Sequence, residues 1–311
     1  MSKYIFGIDL GGTTVKCGLF DGAGTLMDKW EIPTNTAEEG KHILPDIAAA
    51  IQGKMAEKNI SAGEVKGIGI DVPGPVLNER IVNKCVNLGW GVLDVAAEME
   101  SLTGISTKVC NDANAATLGE MVAGGGKGHK DLVMLTLGTG VGGGIIHDGK
   151  IIEGVNGAGG ELGHMCMNPH EEDTCGCGNK GCLEQYGSAT GIVKSARKAL
   201  AAFEGETALK NDETLSSKAI FDAAKAGDAL ALSLVEEYGK LLGRAMAIIS
   251  CVTDPEIFVI GGGVSKAGQP LIDVIAKYYQ VYAFHASRKT EIVLATLGND
   301  AGMYGSMGLI L

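Results

Sequence analysis

No apolar run in this chain approaches the roughly 18 residues that a membrane-crossing helix needs, so no span is expected. The N-terminus lacks the charged, apolar and cleavable succession of a secretory leader, and Asp9 already interrupts its first apolar stretch. Positive charge is scarce. The 26 Lys and Arg face 37 Asp and Glu, a formal net charge of −11, and no basic stripe offsets it. Nucleic acid is therefore not an expected partner. Proline numbers only 7, and no segment is rich enough in Pro or Ser to act as a tether. The P-loop spacing Gly-x4-Gly-Lys-Ser/Thr is absent. Eight cysteines without a leader point to reduced thiols and a cytoplasmic protein.

Glycine is what the chain has in excess: 48 of 311 residues, against a usual share of about 7%. It is clustered, which marks loops that approach ligands rather than disorder. Tyr4 to Leu10 and Cys17 to Phe20 read as two strands of a hairpin whose tip holds Gly11, Gly12, Thr13 and Thr14, with Lys16 close behind. Such a tip can offer N–H groups and hydroxyls to a phosphate. A second run, Gly138-Thr139-Gly140-Val-Gly142-Gly-Gly144, formally fits the dinucleotide pattern GxGxxG. It leads into Ile-Ile-His-Asp148-Gly149-Lys-Ile-Ile, which signals another hairpin and not the helix that pattern requires. The two hairpins suggest an internal repeat. A third glycine turn, Gly261-Gly262-Gly263, follows a strand over 256–260.

Between these turns, spacing predicts a helix over 43–58 and a strand over 65–72, with Pro73-Gly74 suited to a type II turn. A strand over 107–110 ends at Asn111-Asp112, where ligands gather in open α/β sheets. An Asp there is equally a helix N-cap. Helices are expected over 188–203, 216–226, 228–251 and 270–282. The length favours two domains of about 150 residues.

The stretch Glu161-Leu-Gly-His164, then Cys175-Gly-Cys177-Gly-Asn-Lys-Gly-Cys182-Leu-Glu184, is the most specific in the chain. Three cysteines plus one histidine make a tetrahedral Zn²⁺ set, and four protein ligands leave no open position for catalysis. A structural ion is expected, held by His164, Cys175, Cys177 and Cys182, with His170 the alternative histidine. The alternative of one disulfide plus a spare thiol conflicts with a reducing compartment. Glu161 and Glu184 bracket the loop and could hold a polyhydroxylated substrate.

These features together resemble the ROK family of bacterial sugar kinases and transcriptional repressors, in the hexokinase/actin-like ATPase superfamily. Within it the likeness is greatest to the glucokinases, through Val86-Asn-Leu-Gly-Trp90 and Leu297-Gly-Asn-Asp-Ala-Gly302. The resemblance implies an α/β fold of two ribonuclease-H-like domains with a cleft between them, taken as 1–112 completed by 300–311, and 113–299. It implies ATP-dependent phosphorylation of a hexose 6-hydroxyl, glucose foremost, with fructose, mannose or N-acetylmannosamine as alternatives. By position, Asp112 would be the base. Asn87, Asn111, Glu161, His164 and Glu184 would hold the sugar. Gly11, Gly12, Thr13, Thr14, Lys16, Gly138, Thr139, Gly140, Gly262 and Gly263 would surround the ATP phosphates, with Asp9 facing Mg²⁺ through water. A homodimer is implied too. A repressor would carry a DNA-binding segment before the core, and the first hairpin begins at residue 4. Metal loss is expected to disturb the sugar more than ATP, because the phosphate turns lie elsewhere in the chain.

Overall fold

Asp148 and Gly149 both take positive φ, 47° and 73°, as a two-residue type I′ hairpin turn requires. That turn settles the second glycine run as a hairpin. A computed structural model of the chain describes residues 3–211 and 214–311. Strands β1 (Tyr4–Leu10), β2 (Thr14–Asp21) and β3 (Leu26–Pro33) form an antiparallel meander. β4 (Val65–Val72) joins β1 in parallel. Three short strands, β5 (Val76–Leu77), β6 (Ile81–Val82) and β7 (Leu93–Asp94), make a small separate sheet. β8 (Thr107–Asn111) then pairs in parallel with β4. The second half repeats the plan with β9 (Leu132–Leu137), β10 (Val141–His147), β11 (Lys150–Ile151), β12 (Ile257–Gly261) and β13 (Glu291–Leu294). The sheets run β3-β2-β1-β4-β8 and β11-β10-β9-β12-β13, the same order with the same pairing sense. Among the described residues no helix is long and apolar enough to cross a membrane.

β4 reads Val-Lys-Gly-Ile-Gly-Ile-Asp-Val and is buried at all but one position, as a strand covered on both faces should be. β3, which the sequence reading does not anticipate, alternates half-buried and exposed positions along an edge. The turn at Pro73-Gly74 is not type II. Gly74 is not among the positive-φ residues, and its N–H reaches back to the Val72 carbonyl at 2.9 Å.

The chain divides into two compact units, Met1–Gly128 with Ile151–Gly160 and Thr296–Leu311, and His129–Lys150 with Glu161–Ala295. The expected boundary after residue 112 is thus too early. Helix Asp112–Ala123 stays with the first unit because it packs along the C-terminal helix Ala301–Gly308. That contact is backbone on backbone. A first side-chain carbon at Gly119 would lie 2.1 Å from the Ala301 carbonyl oxygen, and one at Gly305 1.7 Å from that of Ala115. The same helix crosses β4 so closely that a carbon added at Gly69 would lie 1.7 Å from the Ser306 oxygen. The buried Glu120 carboxylate fastens the segment before it, accepting N–H bonds from Gly125 (2.7 Å), Thr296 (3.0 Å) and Leu297 (2.9 Å).

One buried group does not fit an apolar strand. Asp71 of β4 is 0% exposed, with one oxygen accepting the Ser306 hydroxyl at 3.0 Å and the other unpartnered. Burial raises its carboxyl well above the usual range, and the charges of Asp9 and Asp112 add to the rise.

Two predictions follow from this packing. Gly69→Ala should destabilise the protein by at least about 2 kcal/mol, because rigid backbone cannot give way. Gly53→Ala, on a helix face with nothing within 4 Å, should be neutral or stabilise by up to about 1 kcal/mol. Urea unfolding of both variants checks the pair, and equal midpoints would refute the close-contact argument. For Asp71 the unfolded carboxyl titrates near 3.9, below its folded value. Between the two, the folded chain keeps a proton that the unfolded chain has released, so stability falls as pH rises through that window. Asp71→Asn cannot ionise and still accepts the Ser306 hydroxyl. Its melting temperature should exceed that of the parent near pH 7, and the gap should close below about pH 4. A gap independent of pH would rule this out.

Candidate active site

Three neighbouring parallel strands of the first unit each bring a carboxylate to their C-terminal ends. In register, Asp9 of β1 stands opposite Asp71 of β4, and Asp71 opposite Cys110 of β8, with Asp112 just beyond. Asp71 went unnoticed in the sequence, although an Asp inside an otherwise apolar strand was its signal. Asp9 accepts Lys16 Nζ at 2.8 Å, and Lys16 also donates to the Asn299 carbonyl at 2.8 Å. Gly302 leaves room for the pair. A side-chain carbon there would sit 2.8 Å from Asp71 Oδ2 and 3.0 Å from Asp9 Cγ.

The capping question at the end of β8 has a clear outcome. Asn111 is the N-cap, its Oδ1 accepting the N–H of Ala113 at 2.9 Å and of Asn114 at 3.3 Å, while its Nδ2 donates to the Gly74 carbonyl at 3.2 Å. Asp112 is the first helical residue. Its carboxyl opens to solvent, yet the surrounding protein removes enough water to raise it above the ordinary carboxylate range. The Ala113 N–H opposes that rise and the Asp9 charge adds to it. Asn87 is exposed on a short turn, Val86–Leu88, between Cys85 and Trp90, which bridge to each other. The Trp90 indole donates to the Gly40 carbonyl at 3.2 Å and so fixes that turn.

At the first glycine tip, the Gly11 N–H bonds to the Thr14 carbonyl at 3.1 Å, and the Thr34 N–H to the Thr13 carbonyl at 2.9 Å. Nothing lies within 4 Å of where a side chain would start at Gly12. In the second unit, the tip Gly138-Thr139-Gly140 closes through the Gly138 N–H to the Gly140 carbonyl at 3.0 Å. Helix Ala189–Ala202 anchors it, since the Ala189 N–H and the Thr190 hydroxyl each donate to a tip carbonyl at 2.8 Å. The third glycine turn lies against it. Gly262 has φ 83°, and a side chain there would strike Leu137 backbone at 2.6 Å. Gly263 is open. Beside this turn is a cavity of about 140 Å³ lined by Phe221, Val264, Ala267, Lys218 and Lys225.

His164, Cys175, Cys177 and Cys182 place one ligand atom each within 4.8 Å of one another. Cys175 Sγ is 3.8 Å from His164 Nδ1, and Cys177 Sγ is 3.7 Å from Cys182 Sγ. A tetrahedral Zn²⁺ with Zn–S bonds of about 2.3 Å needs sulfurs about 3.8 Å apart, so the donor set fits. His170 is exposed and outside the cluster. The other imidazole nitrogen, His164 Nε2, lies 3.8 Å from Glu161 Oε2. Glu184 joins two features that sequence reading kept apart. Its Oε2 accepts the Val141 N–H at 3.0 Å beside the second glycine tip, and its Oε1 is 3.6 Å from Cys175 Sγ. A side chain at Gly140 would meet that Oε2 at 2.0 Å. The cysteine loop and the second glycine tip are therefore in direct contact, against the expectation that they are separate.

Comparison with known proteins gives these sites a context. The family model described as ROK family matches residues 5–311. A glucokinase of Halalkalibacterium halodurans is 41% identical, over 99% of this chain and 95% of the relative. A ROK family glucokinase from Streptomyces griseus, solved in complex with glucose and AMPPNP, is 32% identical over 98% of both chains, with a TM-score of 0.74. A ROK family transcriptional regulator, a homologue of the E. coli MLC protein, is 26% identical over 99% of this chain and 77% of that one, with a TM-score of 0.84. With the family match spanning both units and both repeats of the sheet, the chain belongs to the ROK family.

Proposed function

We propose that the chain transfers the γ-phosphoryl group of ATP to the 6-hydroxyl of a hexose, with glucose the preferred sugar. The observation that carries this reading is Asp112, a carboxylate at the C-terminal end of β8 that Asn111 relieves of the capping role. The H. halodurans relative is a glucokinase, and the S. griseus structure holds glucose with an ATP analogue. The regulator shares the fold, so fold alone does not separate the two classes. A solvent-open carboxylate at that strand end is what supports catalysis.

In this reading the sugar O6–H proton passes to Asp112 as O6 attacks the γ-phosphorus and the bridging oxygen leaves with ADP. A carboxyl raised above its ordinary range is a stronger base once ionised. Asn87, Asn111, Glu161, His164 and Glu184 are assigned to the other hydroxyls, since carboxylates are acceptor-only and match O–H donors. The turns at Gly11, Gly12, Thr13 and Thr14, at Gly138, Thr139 and Gly140, and at Gly262 and Gly263 offer N–H groups to phosphates, and Lys16 adds positive charge. Mg²⁺ arriving with ATP would neutralise phosphate charge, with Asp9 as its partner through water. The cavity beside Gly263 is assigned to the purine. Zn²⁺ on the Cys₃His set would be structural, closing the loop that carries His164 and Glu184. A homodimer is the assembly proposed. Ile248 and Val252 on helix Ala229–Thr253, and Val281 and Phe284 at the end of helix Gln269–Tyr282, are apolar and exposed.

Asp112→Asn should lower kcat by on the order of 10²–10⁴-fold while glucose affinity changes little, because an amide still hydrogen-bonds. A coupled assay across glucose, fructose, mannose and N-acetylmannosamine, with glucose titrations of the variant, tests base and substrate together. Turnover near the parent rate would remove Asp112 from catalysis, and a clear preference for another sugar would overturn the glucose assignment. Cys177→Ser should lose the metal and raise the KM for glucose. Because Glu184 bridges the loop to the second glycine tip, ATP affinity should weaken as well. Elemental analysis with separate titrations of the two substrates decides this, and unchanged ATP affinity in the metal-free variant would argue against the bridge.

A further inference from the structure

Cys166 lies outside the metal set yet faces it across a strand pair. Cys166 and Cys182 form an isolated antiparallel bridge. The flanking bonds run from the Met167 N–H to the Gly181 carbonyl at 2.7 Å and from the Leu183 N–H to the Met165 carbonyl at 2.8 Å. That pattern makes the two cysteines a non-hydrogen-bonded pair, the position where opposite Cα atoms are only about 4.5 Å apart and side chains share a face. A spacing of about 4.4–6.8 Å is what a disulfide spans without backbone movement. Cys166 is exposed and Cys182 is buried, so an oxidant in solvent reaches Cys166 first.

We propose that Cys166 is an oxidation-sensing thiol that forms a reversible disulfide with Cys182 in the presence of a peroxide, withdrawing Cys182 from the metal set. The second half rests on the zinc reading above; the pairing itself does not. Cys166 loses its thiol proton, the thiolate attacks one oxygen of hydrogen peroxide, the O–O bond breaks, and a sulfenic acid and a hydroxide result, the hydroxide taking up the released proton as the first water. The Cys182 thiolate then attacks the sulfenic sulfur, the S–O bond breaks, and hydroxide leaves and takes a proton to give the second water. The two sulfurs together lose two electrons, and the peroxide gains them. A Zn²⁺ held by the set would then keep only three protein ligands, His164, Cys175 and Cys177, and the loop carrying Glu184 would lose its clamp. Through the Glu184 contact with the Val141 N–H, the change reaches the second glycine tip.

The test uses the full-length protein as purified. Zinc content is measured first. Hydrogen peroxide is then added at a few equivalents, released zinc is followed with a chromogenic chelator, and free thiols are blocked before peptide mapping without reduction. The parent should yield a Cys166–Cys182 cross-linked peptide and release its zinc, and a thiol reductant with added zinc should reverse both. Cys166→Ser, a change at an exposed position, should keep the parent kcat and release zinc roughly tenfold more slowly. A Cys177–Cys182 pair in the parent, Cys166 carried to sulfinic acid without a partner, or parent-like zinc release from Cys166→Ser would overturn the proposal. Protein that holds no zinc at the outset would defeat the metal reading, while the peptide map would still decide the pairing.

Discussion

The C-terminal helix lies on the first sheet and on helix Asp112–Ala123 with backbone against backbone at its closest points, and the first unit depends on that approach. Glycine at 69, 119 and 305 is what permits it, because any side-chain carbon at those points would overlap a carbonyl group. Interiors pack at crystal density, so such a contact has little slack. The same helix brings Gly302 against Asp9 and Asp71, and the turn before it brings the Asn299 carbonyl to Lys16. Strand register spaces the carboxylates, and the C-terminal helix closes over Asp9 and Asp71.

The three carboxylates of that sheet are chemically alike and placed in unlike surroundings. Asp9 is paired with a lysine, Asp71 is shut away from water, and Asp112 opens to solvent. Environment then makes like groups chemically unlike. Burial, with the charges of Asp9 and Asp112 beside it, disfavours the ionised form of Asp71.

In the second unit the corresponding device is the Cys₃His cluster. It sits at the base of a loop with little regular structure of its own, where a cross-link is the economical way to hold side chains in place. Glu184 extends its influence, because one carboxylate touches both the cysteine side and the second glycine tip. Geometry at the Cys₃His cluster is therefore geometry at that tip.

Local pattern was enough for the strands over 4–10 and 65–72, for the long helices, for both glycine-tipped hairpins and for the cysteine-histidine set. Each is encoded within a few residues by alternation, helical spacing, turn chemistry or ligand spacing. The repeat of the sheet order was legible only in outline, since pairing partners are remote in sequence. Other features were closed to sequence reading because they arise where distant segments meet. β3 is an edge strand too polar to announce itself. The unit boundary depends on helix Asp112–Ala123 finding residues 301–308. Whether Asn111 or Asp112 caps that helix depends on backbone angles that one residue decides. Glu184 reaches a turn more than forty positions away. Candidate site residues other than Asp71 could thus be named from the sequence itself, whereas their partners and their exposure were decided by tertiary contacts, because hydrogen bonding and desolvation act over ångströms and take no account of separation along the chain.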